Sequence, residues 1–172
     1  MDEVLKNKLK KVRLFVTDFD GVHTDGCVDV SQNGIESVKC SRRDSLGINM
    51  LKKYGIFVGV ISKEANPVVR ARCEKLNIFY YQAVEDGEGK RETLQRVMLE
   101  NDLESDQVLY MGDDINDTEA LKFAGVSVLV GDYHREINLQ VDYICKRSGG
   151  QHAIREVTDM VLSAKGIDIS KY

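Results

Sequence analysis

Two acidic clusters carry the chemistry that the sequence offers: Asp18-Phe19-Asp20-Gly21 and Gly112-Asp113-Asp114-Ile115-Asn116-Asp117. Each follows a short apolar run. Carboxylates brought together from two loops make a hard oxygen site, which suits Mg²⁺. A carboxylate left facing a ligand can attack phosphorus and form an aspartyl-phosphate. A second one, two residues on, can give a proton to the departing oxygen and later take one from water. Ser62 and Lys90 supply a hydroxyl and an ammonium for the phosphoryl oxygens. Gly21 lets backbone approach an anion closely. Each residue also has a plainer reading. Asp-Gly is an ordinary turn signal, a Ser after a strand is a common helix cap, and Arg91 rivals Lys90 as the cation. Lys90 opening a helix runs against the dipole, which favours an anion beside it.

The elements that must position these groups follow from periodicity. Val12–Thr17, Ile56–Ile61, Ile78–Gln82, Gln107–Met111, Val126–Val130 and the short Val141–Cys145 read as strands. Residues 44–54, Asn66–Leu76, Lys90–Glu100, Asp117–Ala124 and Ala153–Ala164 read as helices. Leu46, Met50 and Leu51 give the first of these an apolar stripe, with Gly55 as its stop and Pro67 opening the second. The Asn33-Gly34 pair between 27–31 and 35–40 favours a β-hairpin. Apolar strands alternating with amphipathic helices give an α/β fold with a mostly parallel, Rossmann-like sheet covered on both faces. Ligands then collect at the carboxyl ends of the strands, where both acidic clusters, Ser62 and Lys90 fall.

With 172 residues, 42% hydrophobic and 30% charged, the chain fits one domain over 1–164 and a tail over 165–172. Lys plus Arg number 24 against 28 Asp plus Glu, and this balance argues against nucleic acid as a partner. No apolar run approaches the ~18 residues of a membrane span, and the N-terminus lacks the apolar core of a secretory signal. Cys27, Cys40, Cys73 and Cys145 show no CxxC spacing, so a reduced, cytoplasmic setting is expected.

Asp18-Phe19-Asp20-Gly21-Val22, Ser62, Lys90 and Gly112–Asp117 resemble the four motifs of the haloacid dehalogenase-like superfamily. The stretch from Lys11 to about Leu162 resembles one branch of it. That branch holds the 3-deoxy-D-manno-octulosonate 8-phosphate and nonulosonate 9-phosphate phosphatases. It also holds the phosphatase-like domain of some acylneuraminate cytidylyltransferases. The marks of the branch are Thr24-Asp25-Gly26, Arg43-Asp44-Ser45-Leu46-Gly47-Ile48, Ser148-Gly149-Gly150 and Ala153-Ile154-Arg155-Glu156. The resemblance implies that Asp18 is the nucleophile and a Mg²⁺ ligand. Asp20 would be the general acid/base and bind the metal through its carbonyl, with Asp113 as the third protein ligand. Asp114 would act through metal-bound water or by orienting Lys90. Ser62 and Lys90 would hold the phosphoryl group, and Asp117 would fix the loop. Asp86-Gly87-Glu88-Gly89 is longer than the usual loop before the lysine, so its extra residues would fold outward.

Only about twenty residues separate Asp20 from the first crossover helix, which leaves room for a hairpin at about 27–40 but none for a cap domain. Proteins that this chain resembles form tetramers in which a neighbour covers each site, so the resemblance implies a homotetramer. Val28, Val30, Ile35 and Val38 give the hairpin an apolar face that needs a partner, either a neighbour or its own domain. Glu64, Arg72 and Lys75, with Arg43 and Arg147, are the candidate substrate contacts, and Arg42 is a further one. A solvated helix face is the plainer account of the first three. His23 would line the entrance. Lys63 and Glu64 stand where Gly and Arg are usual in the octulosonate enzymes, which points to a nonulosonate-type 9-phosphate as the sugar acid substrate. The octulosonate 8-phosphate is the alternative, and an oligomerisation module tied to a cytidylyltransferase is another. A phosphate-receiving signalling domain would be shorter and lack the second Asp of the first motif.

Overall fold

The computed structural model describes residues 1–172. Asp2 accepts a 2.8 Å hydrogen bond from Leu5 N and caps the first helix, α1 (Glu3–Lys11). The strands β1 (Leu14–Thr17), β4 (Phe57–Ile61), β5 (Phe79–Tyr81), β6 (Val108–Gly112), β7 (Val126–Leu129) and β8 (Tyr143–Ile144) form one sheet in the order β5-β4-β1-β6-β7-β8. All its neighbours run parallel. Chain order reverses at β1, so the ligand crevice of this topology opens at its carboxyl end. Thr17 pairs with Val60 on one side and Met111 on the other. Asp18, Ile61-Ser62 and Gly112-Asp113 therefore leave the sheet side by side.

Alternation along the strands sorts the core into two faces. Phe15, Val58, Val60, Leu109 and Met111 pack with α1, α2 (Arg42–Lys53), α3 (Pro67–Leu76) and α6 (Ala153–Ala164). Leu14, Val16, Val108 and Tyr110 pack with α4 (Glu88–Glu100) and α5 (Thr118–Phe123). The expected fold and order of elements are present, with shifts at the ends. α2 starts at Arg42, because Ser41 accepts from the amides of Arg43 and Asp44. Its buried stripe is Asp44, Gly47, Ile48, Met50 and Leu51, while Leu46 is exposed. Gly47 lets α2 approach α6 closely, since a Cβ there would meet Thr158. Asp44 completes the contact by accepting from Arg155 N at 2.8 Å, which caps α6.

Two further differences concern loops. Glu88 and Gly89 do not fold outward but form the first turn of α4, which Gly87 enters at φ +61°. The hairpin is short, β2 (Asp29–Val30) against β3 (Glu36–Ser37). Val28, Val30 and Ile35 are 48%, 61% and 68% exposed. Of Val28, Val30, Ile35 and Val38, only Val38 packs on the core, so the hairpin does not spend most of its apolar face on its own domain. At the C-terminus, Ile167 and Ile169 pack back on the core, and the Lys53 ammonium lies 4.7 Å from the Tyr172 ring centroid. All four cysteines are free thiols, and no helix is long and apolar enough to cross a membrane.

Candidate active site

Asp18 extends β1 by one residue, its amide donating to Met111 O at 2.9 Å. Carboxylate oxygens of Asp18, Asp113 and Asp117 lie within 4.8 Å of one another. The third residue of α4, Lys90, reaches this cluster fully buried. Its Nζ is 2.8 Å from Asp117 Oδ1 and 3.1 Å from Asp18 Oδ1. Arg91, the rival cation, turns away to pair with Glu88 at 2.5 Å. Gly21 lies at φ +73°, and a Cβ there would land on the Asp113 carboxylate. That close approach is what the glycine provides.

The three carboxylates are not equivalent. Asp117 Oδ1 accepts from Lys90 Nζ and from Tyr110 Oη at 2.7 Å. Its Oδ2 accepts from the amides of Asp113 at 3.0 Å and Asp114 at 3.3 Å. Its capacity is filled by protein donors. Asp18 Oδ1 and Asp113 Oδ1 are buried without a hydrogen-bond partner, the former facing Lys90 as an ion pair only. Orphaned buried oxygens call for a ligand. Electrostatics agree. Burial, then the Asp117 charge, raises the Asp18 pKa to about 7 against the opposing pull of Lys90. Burial, Asp117 and Asp18 raise Asp113 to about 8. Burial alone would lower Lys90, but Asp18 and Asp117 outweigh it and push the ammonium up to about 12. A divalent cation between Asp18 and Asp113 would satisfy both orphans and remove their mutual repulsion, so the donor set fits Mg²⁺.

Asp20 is half-buried at the rim. Burial, then the nearby Glu64 charge, raises its pKa. Ser62 is buried at the end of β4, its amide donating to Tyr81 O at 2.8 Å. It caps no helix, since Asn66 caps α3. Its Oγ accepts from Glu64 N at 3.1 Å. Asp114 is exposed and accepts from Ile115 N, so Asp117 rather than Asp114 orients Lys90.

The candidate substrate contacts do not assemble within one protomer. Glu64 stays at the mouth, accepting from the amides of Ala65 and Asn66. Arg72 ties α3 to α2, donating to Ser41 O at 3.0 Å and Ser45 Oγ at 2.9 Å. Lys75 sits near the far end of α3, about 12 Å along its axis from Pro67 at ~1.5 Å per residue. Arg43 and Arg147 line a separate cavity of about 440 Å³ between the starts of α2 and α6. His23 is not at the entrance. It is buried, 3.0 Å from Thr17 Oγ1 and stacked on Phe19. Burial, then Arg72, lowers its pKa to about 3. Tyr110 is the site residue that motif reading overlooks. A Tyr in an otherwise fully apolar buried strand was the available signal, because its hydroxyl needs a partner.

Residues 48–157 match the family model of the haloacid dehalogenase-like hydrolases. The 3-deoxy-D-manno-octulosonate 8-phosphate phosphatase KdsC of Haemophilus influenzae is 34% identical over 165 residues, covering 94% of this chain and 89% of that protein. A hypothetical protein of Xanthomonas campestris superimposes with a TM-score of 0.94 at 33% identity, covering 99% of this chain and 92% of the other. The octulosonate 8-phosphate phosphatase of Moraxella catarrhalis, solved with magnesium, phosphate and the sugar acid, gives 0.91 at 29% identity over 96% and 94% of the two chains. Motifs at the ends of β1, β4 and β6, a buried lysine from α4 and similarity along nearly the whole chain thus coincide, and the chain belongs to the haloacid dehalogenase-like hydrolases, in the branch of the octulosonate 8-phosphate phosphatases.

Proposed function

We propose that this enzyme is a Mg²⁺-dependent phosphatase that hydrolyses 3-deoxy-D-manno-octulosonate 8-phosphate through an aspartyl-phosphate on Asp18. The observation that carries the chemistry is the convergence of Asp18, Asp113 and Lys90, two of them with orphaned carboxylate oxygens. An Asp18 oxygen attacks phosphorus, and the bond to the sugar oxygen breaks. Asp20 gives that oxygen its proton, then takes one from the water that cleaves the phosphoenzyme. Its raised pKa suits both halves of the cycle. Lys90 and Ser62 hold the phosphoryl oxygens as charge shifts onto them. Asp18, Asp113 and the Asp20 carbonyl would hold Mg²⁺, with Asp114 reaching it through water. When bound, the cation supplies positive charge that keeps Asp18 ionised and offsets charge on the phosphoryl group.

The substrate reading rests on the relatives, whose names specify the eight-carbon acid. It replaces the nine-carbon expectation. That expectation needed Glu64, Arg72 and Lys75 to act together, and Arg72 is engaged with α2. Steady-state kcat/KM on the octulosonate 8-phosphate, a nonulosonate 9-phosphate and an aryl phosphate tests it. The eight-carbon ester should lead by tenfold or more, roughly the worth of one charged hydrogen bond made in the transition state. A lead for the nine-carbon ester, or three equal values, overturns the assignment.

A homotetramer belongs to the same proposal. No cap covers the crevice, shielding a phosphoenzyme from bulk water favours closure, and the exposed Val28, Val30 and Ile35 await a partner. Light scattering should give the mass of about four chains, and Asp at both Val28 and Val30 should lower mass and activity together. A fully active monomer at micromolar concentration would end the idea.

A further inference from the structure

We propose that Tyr110 is a positioning residue for Lys90. Its hydroxyl fixes Asp117 so that the ammonium is shared with Asp18 rather than captured. The inference rests on the reading that Lys90 holds the phosphoryl group. Tyr110 is fully buried in β6 and points to the α4 side of the sheet. Its Oη donates to Asp117 Oδ1 at 2.7 Å, and Lys90 Nζ donates to that same oxygen at 2.8 Å. The other oxygen is pinned by the amides of Asp113 and Asp114. Four donors therefore fix one carboxylate, and one of them is the Lys90 ammonium. Two donors on one oxygen divide its charge, so each bond to it is weaker than it would be alone. Without the tyrosine hydroxyl, Asp117 Oδ1 turns its whole charge on Lys90. The ammonium then moves off Asp18, 3.1 Å away, and off the phosphoryl oxygens. Tyr110 itself touches neither substrate nor metal.

The test is Tyr110→Phe, which keeps the ring and removes one donor. Tyr143→Phe is the matched control. Tyr143 also donates to a carboxylate at 2.7 Å, but that of Glu156, which has no bond to the lysine. Lys90→Met is the third arm. Rates are normalised to the folded fraction by circular dichroism. Tyr110→Phe should lower kcat about five- to thirtyfold, the same factor for sugar and aryl phosphates, with KM changed less, since the grip tightens as charge develops. Tyr143→Phe should keep the wild-type kcat. Equal losses in the two tyrosine variants, or a loss wholly in KM, overturn the proposal in favour of packing alone. Wild-type kcat in Tyr110→Phe beside a dead Lys90→Met removes Tyr110 only. An active Lys90→Met removes the reading of Lys90, and Tyr110 with it.

Discussion

Asp18→Asn is expected to abolish turnover, by at least roughly 10⁴-fold, while the fold stays intact. Asn keeps the shape of the side chain and can still accept from Lys90. It lacks the charge that attacks phosphorus and the charge that binds a cation. Its effect on stability has the opposite sign. The Asp18 carboxyl is raised from 3.8 to about 7 by burial and by Asp117, so its charged form opposes folding even with Lys90 beside it. A group raised in this way contributes stability that is fully present below the unfolded value. That stability is lost as pH climbs through about 7. At pH 8 the metal-free wild type carries the whole penalty and the Asn variant none. The metal-free variant should therefore melt higher at pH 8, by about 2–4 °C for each kcal/mol relieved. The gap should close toward pH 4. Mg²⁺ should raise the melting temperature of the wild type far more than that of the variant. Thermal scans at the two pH values with and without Mg²⁺ decide the matter. A variant that melts lower at pH 8 than at pH 4 relative to wild type would place Asp18 in a net favourable ion pair instead.

The parts of the molecule that were legible in the sequence are those set by local physics. Alternating apolar strands and amphipathic helices predicted the sheet, and Asp18, Asp113 and Lys90 met because topology leaves few places for strand-end residues to go. Contacts made across elements were harder to read. Arg72 looks like a free charge on a helix face, yet its partners are Ser41 and Ser45, which only the docking of α3 on α2 brings near. Leu46 fits a helical stripe, but α2 rotates so that Gly47 faces Thr158 and Leu46 faces solvent. His23 lies close to the first motif in sequence, and stacking on Phe19 takes it inside. Tyr110 is one of a run of buried strand residues, and its role exists only because Asp117 comes back over the strand that carries it.

Lys90→Met carries the other large effect, on activity and stability together. Met matches the length of the lysine stem and fills its enclosed space, so packing is nearly conserved and the charge alone is removed. Loss of a donor that stabilises developing phosphoryl charge costs about 10²–10³-fold, and the lost full charge puts the expectation at the upper end. For the fold, Lys90 lies between Asp18 and Asp117 and is fully buried with them. Removing one partner of such an arrangement leaves uncompensated charge in the interior, at about 3–5 kcal/mol. Tyr110 and the two loop amides still hold Asp117, but they carry no positive charge. Asp18 should then titrate higher than in the wild type, because the Lys90 charge that favours its ionised form is gone. Stability lost with rising pH is lost over a window reaching further upward. The difference in melting temperature between wild type and variant should be large at pH 8 and shrink toward pH 5, where Asp18 is protonated. Thermal unfolding at the two pH values measures it. A difference that stays constant with pH would mean that Lys90 stabilises the fold by its carbon stem, and the ion-pair account of the site would not stand.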